Sequence, residues 1–160
     1  GSGRLFKYLP RAGKKYFACD VNLKMLLFAK LKKGLNISYF CSSGGKLPCK
    51  SKSIDLVTLI GVLQNCGEDL KCFINDVSRI IKKGGRIFIV TKNLGWDRFI
   101  YGKLKPEYDH NWFFDYELES ALNEAGFEVD KKGGFDNRSG EVTNINLSHE
   151  MFILARKTVN

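Results

Sequence analysis

The chain has 160 residues, of which 27% are charged and 44% hydrophobic, and this is the composition of a globular protein with room for one domain. No apolar run approaches the roughly 20 residues of a membrane-spanning helix, and the five cysteines include no Cys-x-x-Cys pair, which argues against a metal site or a disulfide framework and favours reduced thiols in the cytoplasm. The formal net charge of +9 can attract nucleic acid or anionic lipid, but the lysines are scattered in pairs at the ends of predicted elements, so we favour a solvated surface over a nucleic-acid interface.

The chain opens with a glycine turn, a short helix and a strand. The turn 1–3 contains two glycines, which let the backbone approach a ligand closely. The segment 4–9 has the length of two helical turns, and the segment 15–20 is apolar enough for a strand that is buried on both faces. That strand ends in Asp20, and an acid at the carboxyl end of a strand binds ribose hydroxyls in open α/β sheets. The opening therefore predicts a site for a nucleotide-like cofactor.

Strands and helices alternate along the rest of the chain. Asn22 is placed to cap a helix whose leucines recur at helical spacing and which ends at Gly34. The further elements expected are strands over 37–41, 54–60 and 86–91, helices over 69–81 and 116–125, and closing strands over 127–131 and 150–156. This alternation indicates a parallel sheet with crossover helices, whereas two final strands with no helix between them indicate an antiparallel hairpin. The predicted fold class is α/β, a Rossmann-like, doubly wound and mostly parallel sheet with an antiparallel C-terminal hairpin.

An irregular aromatic segment lies before the helix 116–125. Residues 92–115 contain both tryptophans of the chain, and a loop of this length is typical of a lid or a binding loop, although the same aromatic side chains are equally consistent with core packing. Its one histidine, His110, can act as a general base toward a hydroxyl group or can be an ordinary surface or packing residue. We interpret His149 and Cys49 as structural residues.

A series of short motifs is more specific in its order and spacing than any one of its members. The motifs are Gly1-Ser2-Gly3-Arg4, Ala18-Cys19-Asp20-Val21-Asn22 with Met25, Lys46-Leu47-Pro48, Ile54-Asp55-Leu56-Val57, Gly61-Val62-Leu63, the segment 79–89, and Glu124-Ala125-Gly126-Phe127-Glu128-Val129. In these motifs the chain resembles the class I S-adenosylmethionine-dependent methyltransferases, in particular the broad group that includes the ubiquinone and menaquinone biosynthesis methyltransferases. The resemblance extends over nearly the whole chain.

The resemblance implies a seven-stranded sheet with an antiparallel last strand, and S-adenosylmethionine bound at the carboxyl edge of the first strands. The residues that it assigns to this cofactor are Gly1, Ser2 and Gly3 around the methionine part, Asp20 on the ribose, Val21 and Met25 on the adenine, Ser43 and Gly44 at the adenine turn, and Gly61, Val62 and Leu63 beneath the sulfonium and facing the substrate. A carboxylate that accepts two hydroxyl protons makes charge-assisted hydrogen bonds. The protein otherwise has to align the acceptor with the methyl group and exclude water.

The chain departs from the family pattern at two places. The family's first strand and the acid before the glycines are absent, so we expect residues 1–160 to be a single methyltransferase domain that is N-terminally incomplete and continues upstream in the native protein. The loop after the third strand of the family usually carries an acid that receives the adenine amino group. Here Ser43 and Gly44 align with that turn, and a serine or a backbone group would bond the base more weakly.

Three functions follow from these observations. The leading hypothesis is methyl transfer from S-adenosylmethionine to an oxygen or carbon of a small molecule. A transfer-RNA-modifying methyltransferase is favoured by the positive charge and by the likeness of 61–65 to wobble-uridine enzymes, although no Asn-Pro-Pro-Tyr-like segment follows Ile60. The third is a truncated, non-catalytic methyltransferase-like domain that serves as a binding module. A nicotinamide-dependent enzyme is least favoured, and the sequence indicates no particular oligomeric state.

Overall fold

The computed structural model describes residues 1–10, 13–32, 35–67, 69–106, 109–136 and 139–159. Within these residues the strands form a two-stranded and a five-stranded sheet. The chain divides into two units, Gly1–Pro48 and Cys49–Asn160, which we call the N-terminal unit and the C-terminal unit. The expectation that both belong to one domain stays a prediction.

The N-terminal unit is a parallel strand pair with one α-helix. A 3-10 helix, Arg4–Tyr8, precedes β1 (Tyr16–Asp20), α1 (Leu23–Lys30) and β2 (Ile37–Cys41). The two strands run parallel, with Asp20 opposite Cys41 at their carboxyl ends. As predicted, the side chain of Asn22 caps α1 by accepting hydrogen bonds from the backbone N–H groups of Lys24 and Met25.

The C-terminal unit is built on the five-stranded sheet. Its elements are β3 (Ile54–Ile60), α2 (Leu70–Ile80), β4 (Ile81–Lys92), α3 (Asp97–Ile100), α4 (Asp115–Glu124), β5 (Phe127–Phe135), β6 (Val142–Thr143) and β7 (Glu150–Lys157). The strand order is β3-β4-β7-β5-β6. β3 and β4 are parallel, and β7 is antiparallel to both of its neighbours, β4 and β5. These pairings confirm an α/β fold with parallel strands and an antiparallel C-terminal hairpin.

The core of the C-terminal unit lies where its helices meet the central strands. The side chains of β4 and β7 that are fully removed from water include Ile87, Ile89 and Ile153, and those of the helices include Ile74, Val77, Leu118 and Leu122. Ser78 on α2 donates to the carbonyl oxygen of Ala125 at the end of α4, at 2.7 Å, which joins the two helices. The central strands of this unit are thereby fixed in position by close packing against its helices.

Several predicted strand properties are wrong. β4 does not begin at Arg86 after a turn but at Ile81, and the glycine pair at 84–85 forms an irregularity within the strand, where the register to β3 shifts. β5 continues to Phe135 instead of ending at Lys131, because its pairing with β7 extends further along the chain. The rest of the segment between the two predicted closing strands includes β6 and a 3-10 helix, Ile145–Leu147.

The short helix predicted in the N-terminal unit is present as a 3-10 helix. Two other expectations for this unit need correction. β1 is not buried on both faces, because its residues alternate and one face is left open, with Phe17 half exposed. The seven strands form two sheets and not the one sheet that the resemblance implies, since in the described residues β1 pairs with β2 alone and β3 with β4 alone. The predicted helix stop at Gly34 lies outside the described residues.

Candidate cofactor and substrate site

Asp20 lies at the carboxyl end of β1, against the first glycine of the chain. Its Oδ1 accepts a hydrogen bond from the backbone N–H of Asn22 at 2.8 Å, and its Oδ2 accepts one from the nitrogen of Gly1. A carboxylate has about four acceptor positions on its two oxygens, so it can receive further hydrogen bonds. The structure therefore brings together the glycine turn and the acid that the sequence assigns to one site.

The surroundings of Asp20 favour its charged form. Partial burial acts to raise the pKa of the carboxyl group, but the hydrogen bonds from the nitrogen of Gly1 and the backbone N–H of Asn22 act to lower it. The pKa of Asp20 is therefore lower than its ordinary value of 3.8. At neutral pH this side chain is a carboxylate, the form that accepts hydroxyl protons most strongly.

The glycine turn has a backbone shape that favours glycine. Gly3 has a φ of 73°, in the left-handed region, and a Cβ at this position would lie 2.8 Å from the ring of Phe6. The Nζ of Lys32 donates to the carbonyl oxygen of Gly3 at 3.1 Å, which fastens the turn to the segment after α1. Ser2, between the two glycines, is half-buried.

Apolar side chains follow Asp20, and a polar turn lies beside it. Val21 and Met25 expose 71% and 44% of their surface, respectively, so each has apolar area available for a flat ligand. The backbone N–H of Ser42 donates to the carbonyl oxygen of Asp20 at 3.2 Å, and the half-buried Ser43 and Gly44 follow directly. The turn that the sequence aligns with the adenine therefore starts at the same strand edge as the acid.

Three other residues that the resemblance assigns to the cofactor lie in the C-terminal unit, in the segment after β3. Gly61 has a φ of 67°, and its carbonyl oxygen accepts a hydrogen bond from the side chain of Asn65 at 3.0 Å. Val62 is exposed, whereas Leu63 is buried and begins a 3-10 helix, Leu63–Asn65. This turn directs the chain out of the strand and toward a cavity.

A cavity of about 450 Å³ lies over this 3-10 helix. Its lining combines apolar and aromatic side chains, among them Leu63, Phe73 and Trp112, with the polar residues His110, Asn111 and Glu117. A concave surface that places polar groups among apolar side chains is a common form of a small-molecule site. The structure thus places His110 and Leu63, which are distant in the sequence, on one cavity of the C-terminal unit.

Asn111 holds the histidine segment on this cavity, and sequence reasoning missed it. Its Nδ2 donates to the carbonyl oxygen of Cys66 at 2.6 Å, and its backbone N–H donates to the carbonyl oxygen of Gln64 at 2.8 Å. The Nδ1 of His110 lies 3.0 Å from the Oδ1 of Asp109. When Nδ1 carries the proton and donates to Asp109, the lone pair of the imidazole is on Nε2, as a general base requires.

The aromatic segment serves both of the purposes left open by the sequence. Trp112 and Phe113 line the cavity. Trp112 also packs edge-on against the ring of His149, at a centroid distance of 5.0 Å, and Trp96 and Phe99 do the same at 5.2 and 6.3 Å. His149 has the packing role predicted for it. Burial raises the pKa of the Cys49 thiol and the nearby Asp76 adds to this effect, while Arg79 opposes it, which keeps the thiol protonated as expected of a structural cysteine.

Comparison with known proteins identifies the family. A family model described as a methyltransferase domain matches residues 1–89, which is more than half of the chain. The chain belongs to this methyltransferase family. It is 23% identical over 148 residues to a ubiquinone biosynthesis O-methyltransferase of Parvibaculum lavamentivorans, an alignment that covers 84% of this chain and 58% of the relative. The chain therefore spans less than two thirds of the length of that relative.

Solved structures show the same fold. An S-adenosylmethionine-dependent methyltransferase of Methanosarcina mazei superposes with a TM-score of 0.78 at 18% identity, covering 100% of this methyltransferase-family chain and 90% of that one. A putative methyltransferase of Haloferax volcanii was solved in complex with the Trm112 methyltransferase activator. It superposes with a TM-score of 0.77 at 14% identity, covering 100% of this chain and 79% of that one. These likenesses confirm the Rossmann-like fold class. In the described part of the chain, no helix has the length and apolar content to span a bilayer.

The sequence resemblance implies S-adenosylmethionine as the cofactor, and the chemistry of the residues at β1 is compatible with this molecule. Asp20 is an ionised acceptor with capacity for ribose hydroxyls. Val21 and Met25 offer apolar surface of the kind that covers a purine. The left-handed Gly3 leaves the backbone of the turn accessible without a side chain. The hydrogen-bonding and apolar groups of the N-terminal unit are thus compatible with an adenosyl group.

Proposed function

We propose that the protein transfers a methyl group from S-adenosylmethionine to an oxygen or carbon atom of a small molecule. The observation that carries this proposal is the carboxylate of Asp20 at the carboxyl end of β1, in contact with Gly1 of the glycine turn. Membership of the methyltransferase family supports it. The reduced cysteines expected from the sequence suit a cytoplasmic enzyme.

In this proposal the N-terminal unit binds the cofactor. Asp20 accepts hydrogen bonds from the ribose hydroxyls, Val21 and Met25 cover the adenine, and Ser43 and Gly44 bond its polar edge. Gly1, Ser2 and Gly3 enclose the methionine part. S-adenosylmethionine supplies an electrophilic methyl group on a sulfonium, so the protein's own contribution is alignment and the exclusion of water.

The acceptor side of the reaction belongs to the C-terminal unit in this proposal. The segment Gly61-Val62-Leu63 faces the substrate. The substrate lies in the cavity lined by Leu63 of the 3-10 helix Leu63–Asn65 and by Trp112 and Phe113 of the aromatic segment. His110 takes the proton of an acceptor hydroxyl on Nε2 while Asp109 holds the opposite ring nitrogen. The relative from Parvibaculum lavamentivorans is named as an O-methyltransferase, which supports oxygen as the acceptor atom.

Isothermal titration calorimetry with S-adenosylmethionine and with its demethylated product tests the proposal. Both ligands should bind saturably and compete with each other, because the adenosyl and ribose contacts are common to them. The absence of binding by either ligand at millimolar concentration would contradict the proposed activity and favour a non-catalytic binding module. Binding of transfer RNA that weakens steeply with salt, together with methylation of that RNA, would favour the nucleic-acid alternative, which the net charge of +9 supports.

A further inference from the structure

The net positive charge of the chain comes entirely from its N-terminal unit. Residues 1–48 contain ten lysines and arginines and a single acidic residue, Asp20, so their formal net charge is +9. Residues 49–160 contain sixteen basic and sixteen acidic residues, so their formal net charge is zero. Such a charge difference between two parts of one chain indicates that the basic part meets an anionic partner.

The helix of this basic unit is apolar on almost every side and yet exposed. In α1 only Leu26 and Ala29 are buried. Leu23, Leu27 and Leu31 are spaced four residues apart, so they form one row along the helix, and they expose 56%, 56% and 74% of their surface. Phe28 beside them is 58% exposed. A helix that is apolar on all sides is normally covered, so this row marks an interaction surface.

Lysines lie within the same surface. Lys24 and Lys30 share one shallow depression with Leu27, Phe28 and Leu31. Lysine side chains can lie along apolar surface and still place their ammonium groups in a polar layer. We use the name α1 surface for Leu23, Lys24, Leu27, Phe28, Lys30 and Leu31.

We propose that the α1 surface binds the headgroup region of an anionic lipid bilayer. The leucine row and Phe28 enter the boundary between headgroups and acyl chains, and Lys24 and Lys30 contact lipid phosphates. A second copy of the chain is disfavoured as the occupant, because pairing of two α1 surfaces would bring the lysines of two +9 units together. Nucleic acid satisfies the charge but leaves the aliphatic row exposed to water, whereas an anionic bilayer satisfies both features.

Vesicle sedimentation with the 160-residue protein tests this proposal. We expect binding to mixed phosphatidylcholine–phosphatidylglycerol vesicles and much weaker binding to pure phosphatidylcholine vesicles. The double variant Lys24→Gln/Lys30→Gln should bind mixed vesicles about 25-fold more weakly, at about fivefold for each lysine. Leu27→Gln/Leu31→Gln should also lose binding, although its charge is unchanged. The matched control Lys103→Gln/Lys105→Gln removes two exposed lysines of the C-terminal unit and should bind like the parent protein.

The results of these experiments distinguish a lipid bilayer from the other candidate partners of the α1 surface. Circular dichroism should show parent-like folding for every variant, because the substituted side chains are exposed. Equal binding of the leucine variant and the parent would overturn the proposal, since the interaction would then be charge alone. The parent protein alone can also overturn the proposal, if it does not bind mixed vesicles. If RNA binds in that case, the partner is a nucleic acid. If sedimentation velocity instead shows a dimer that the leucine variant abolishes, the partner is a second copy of the chain.

Discussion

Asp20 is the residue on which the cofactor assignment depends most. Asp20→Asn keeps the size of the side chain and removes its charge, so the hydrogen bonds to ribose lose their charge-assisted part, which is worth about 1.5–3 kcal/mol. We expect the affinity for S-adenosylmethionine to fall about ten- to hundredfold in calorimetry. Asp55→Asn is the matched control, because Asp55 is exposed and pairs with Lys82. Equal affinities of the Asp20 variant and the parent would remove Asp20 from the site.

His110 is the residue that distinguishes a catalytic cavity from a merely apolar one. His110→Asn should lower kcat by about 10²- to 10⁴-fold if the imidazole accepts the proton, with a small change in KM, once a methyl acceptor is identified. Asp109→Asn should have a smaller effect, because Asp109 is 79% exposed and only orients the ring. A variant with unchanged kcat and a lowered melting temperature would instead show that His110 is a packing residue.

At two positions a local sequence pattern predicts the place of a residue in the fold. Asp20 ends a strand and Asn22 caps the next helix, as the structure shows, while the role of Asp20 in cofactor binding stays a prediction. Asn111 gave no such signal, because its partners are the carbonyl oxygens of Gln64 and Cys66, more than forty residues away. An amide that bonds backbone carbonyls has no sequence pattern of its own, so only the folded chain shows it.

At the scale of elements, the sequence predicted β2 and β3 with their observed bounds and α2 and α4 within one residue. The errors concern strand length in β4 and β5. The extra residues of β5, such as its glycine pair, have low strand propensity and are held in the sheet by pairing with β7. The first residue of β4, Ile81, lies opposite Ile54 of β3. Propensity is local, whereas pairing depends on a strand elsewhere in the chain, so the sequence pattern predicts strands that are too short.

A buried lysine joins two of these elements and makes the stability of the fold depend on pH. Lys157 on β7 donates from Nζ to the carbonyl oxygen of Ser78 on α2. Burial lowers the pKa of Lys157 from its ordinary value of 10.5, and the charge of Lys52 lowers it further. Protonation of Lys157 therefore disfavours the folded state below the lowered pKa, and this penalty disappears as the pH rises toward 10.5.

The substitution Lys157→Met tests the direction of this pH dependence. In urea denaturation, the free energy of unfolding of the variant minus that of the parent should be higher at pH 7 than at pH 10.5, because only the parent carries the penalty at the lower pH. Lys52→Gln should reduce the pH dependence of the parent without abolishing it. A difference between Lys157→Met and the parent that is constant over this range would contradict the lowered pKa.

At the scale of the whole molecule, the two units differ in their number of buried apolar residues as well as in net charge. Of the twenty apolar side chains that are buried in the described residues, eighteen belong to the C-terminal unit, and only Leu26 and Ala29 belong to the N-terminal unit. The N-terminal unit nevertheless holds the proposed cofactor residues. Its local stability has to come mainly from backbone pairing, capping and ligand contacts, because so little apolar surface is removed from water there.

Hydrogen exchange measured by mass spectrometry tests this division. Peptides from β4 and β7 should exchange most slowly, at rates set by global unfolding, whereas peptides from β1, α1 and β2 should exchange through local opening at much lower free energy. S-adenosylmethionine should slow exchange at Asp20 and the glycine turn, and anionic vesicles should slow it in α1, because each ligand stabilises the state that binds it. Equal protection of both units without ligand would show that the N-terminal unit does not open separately.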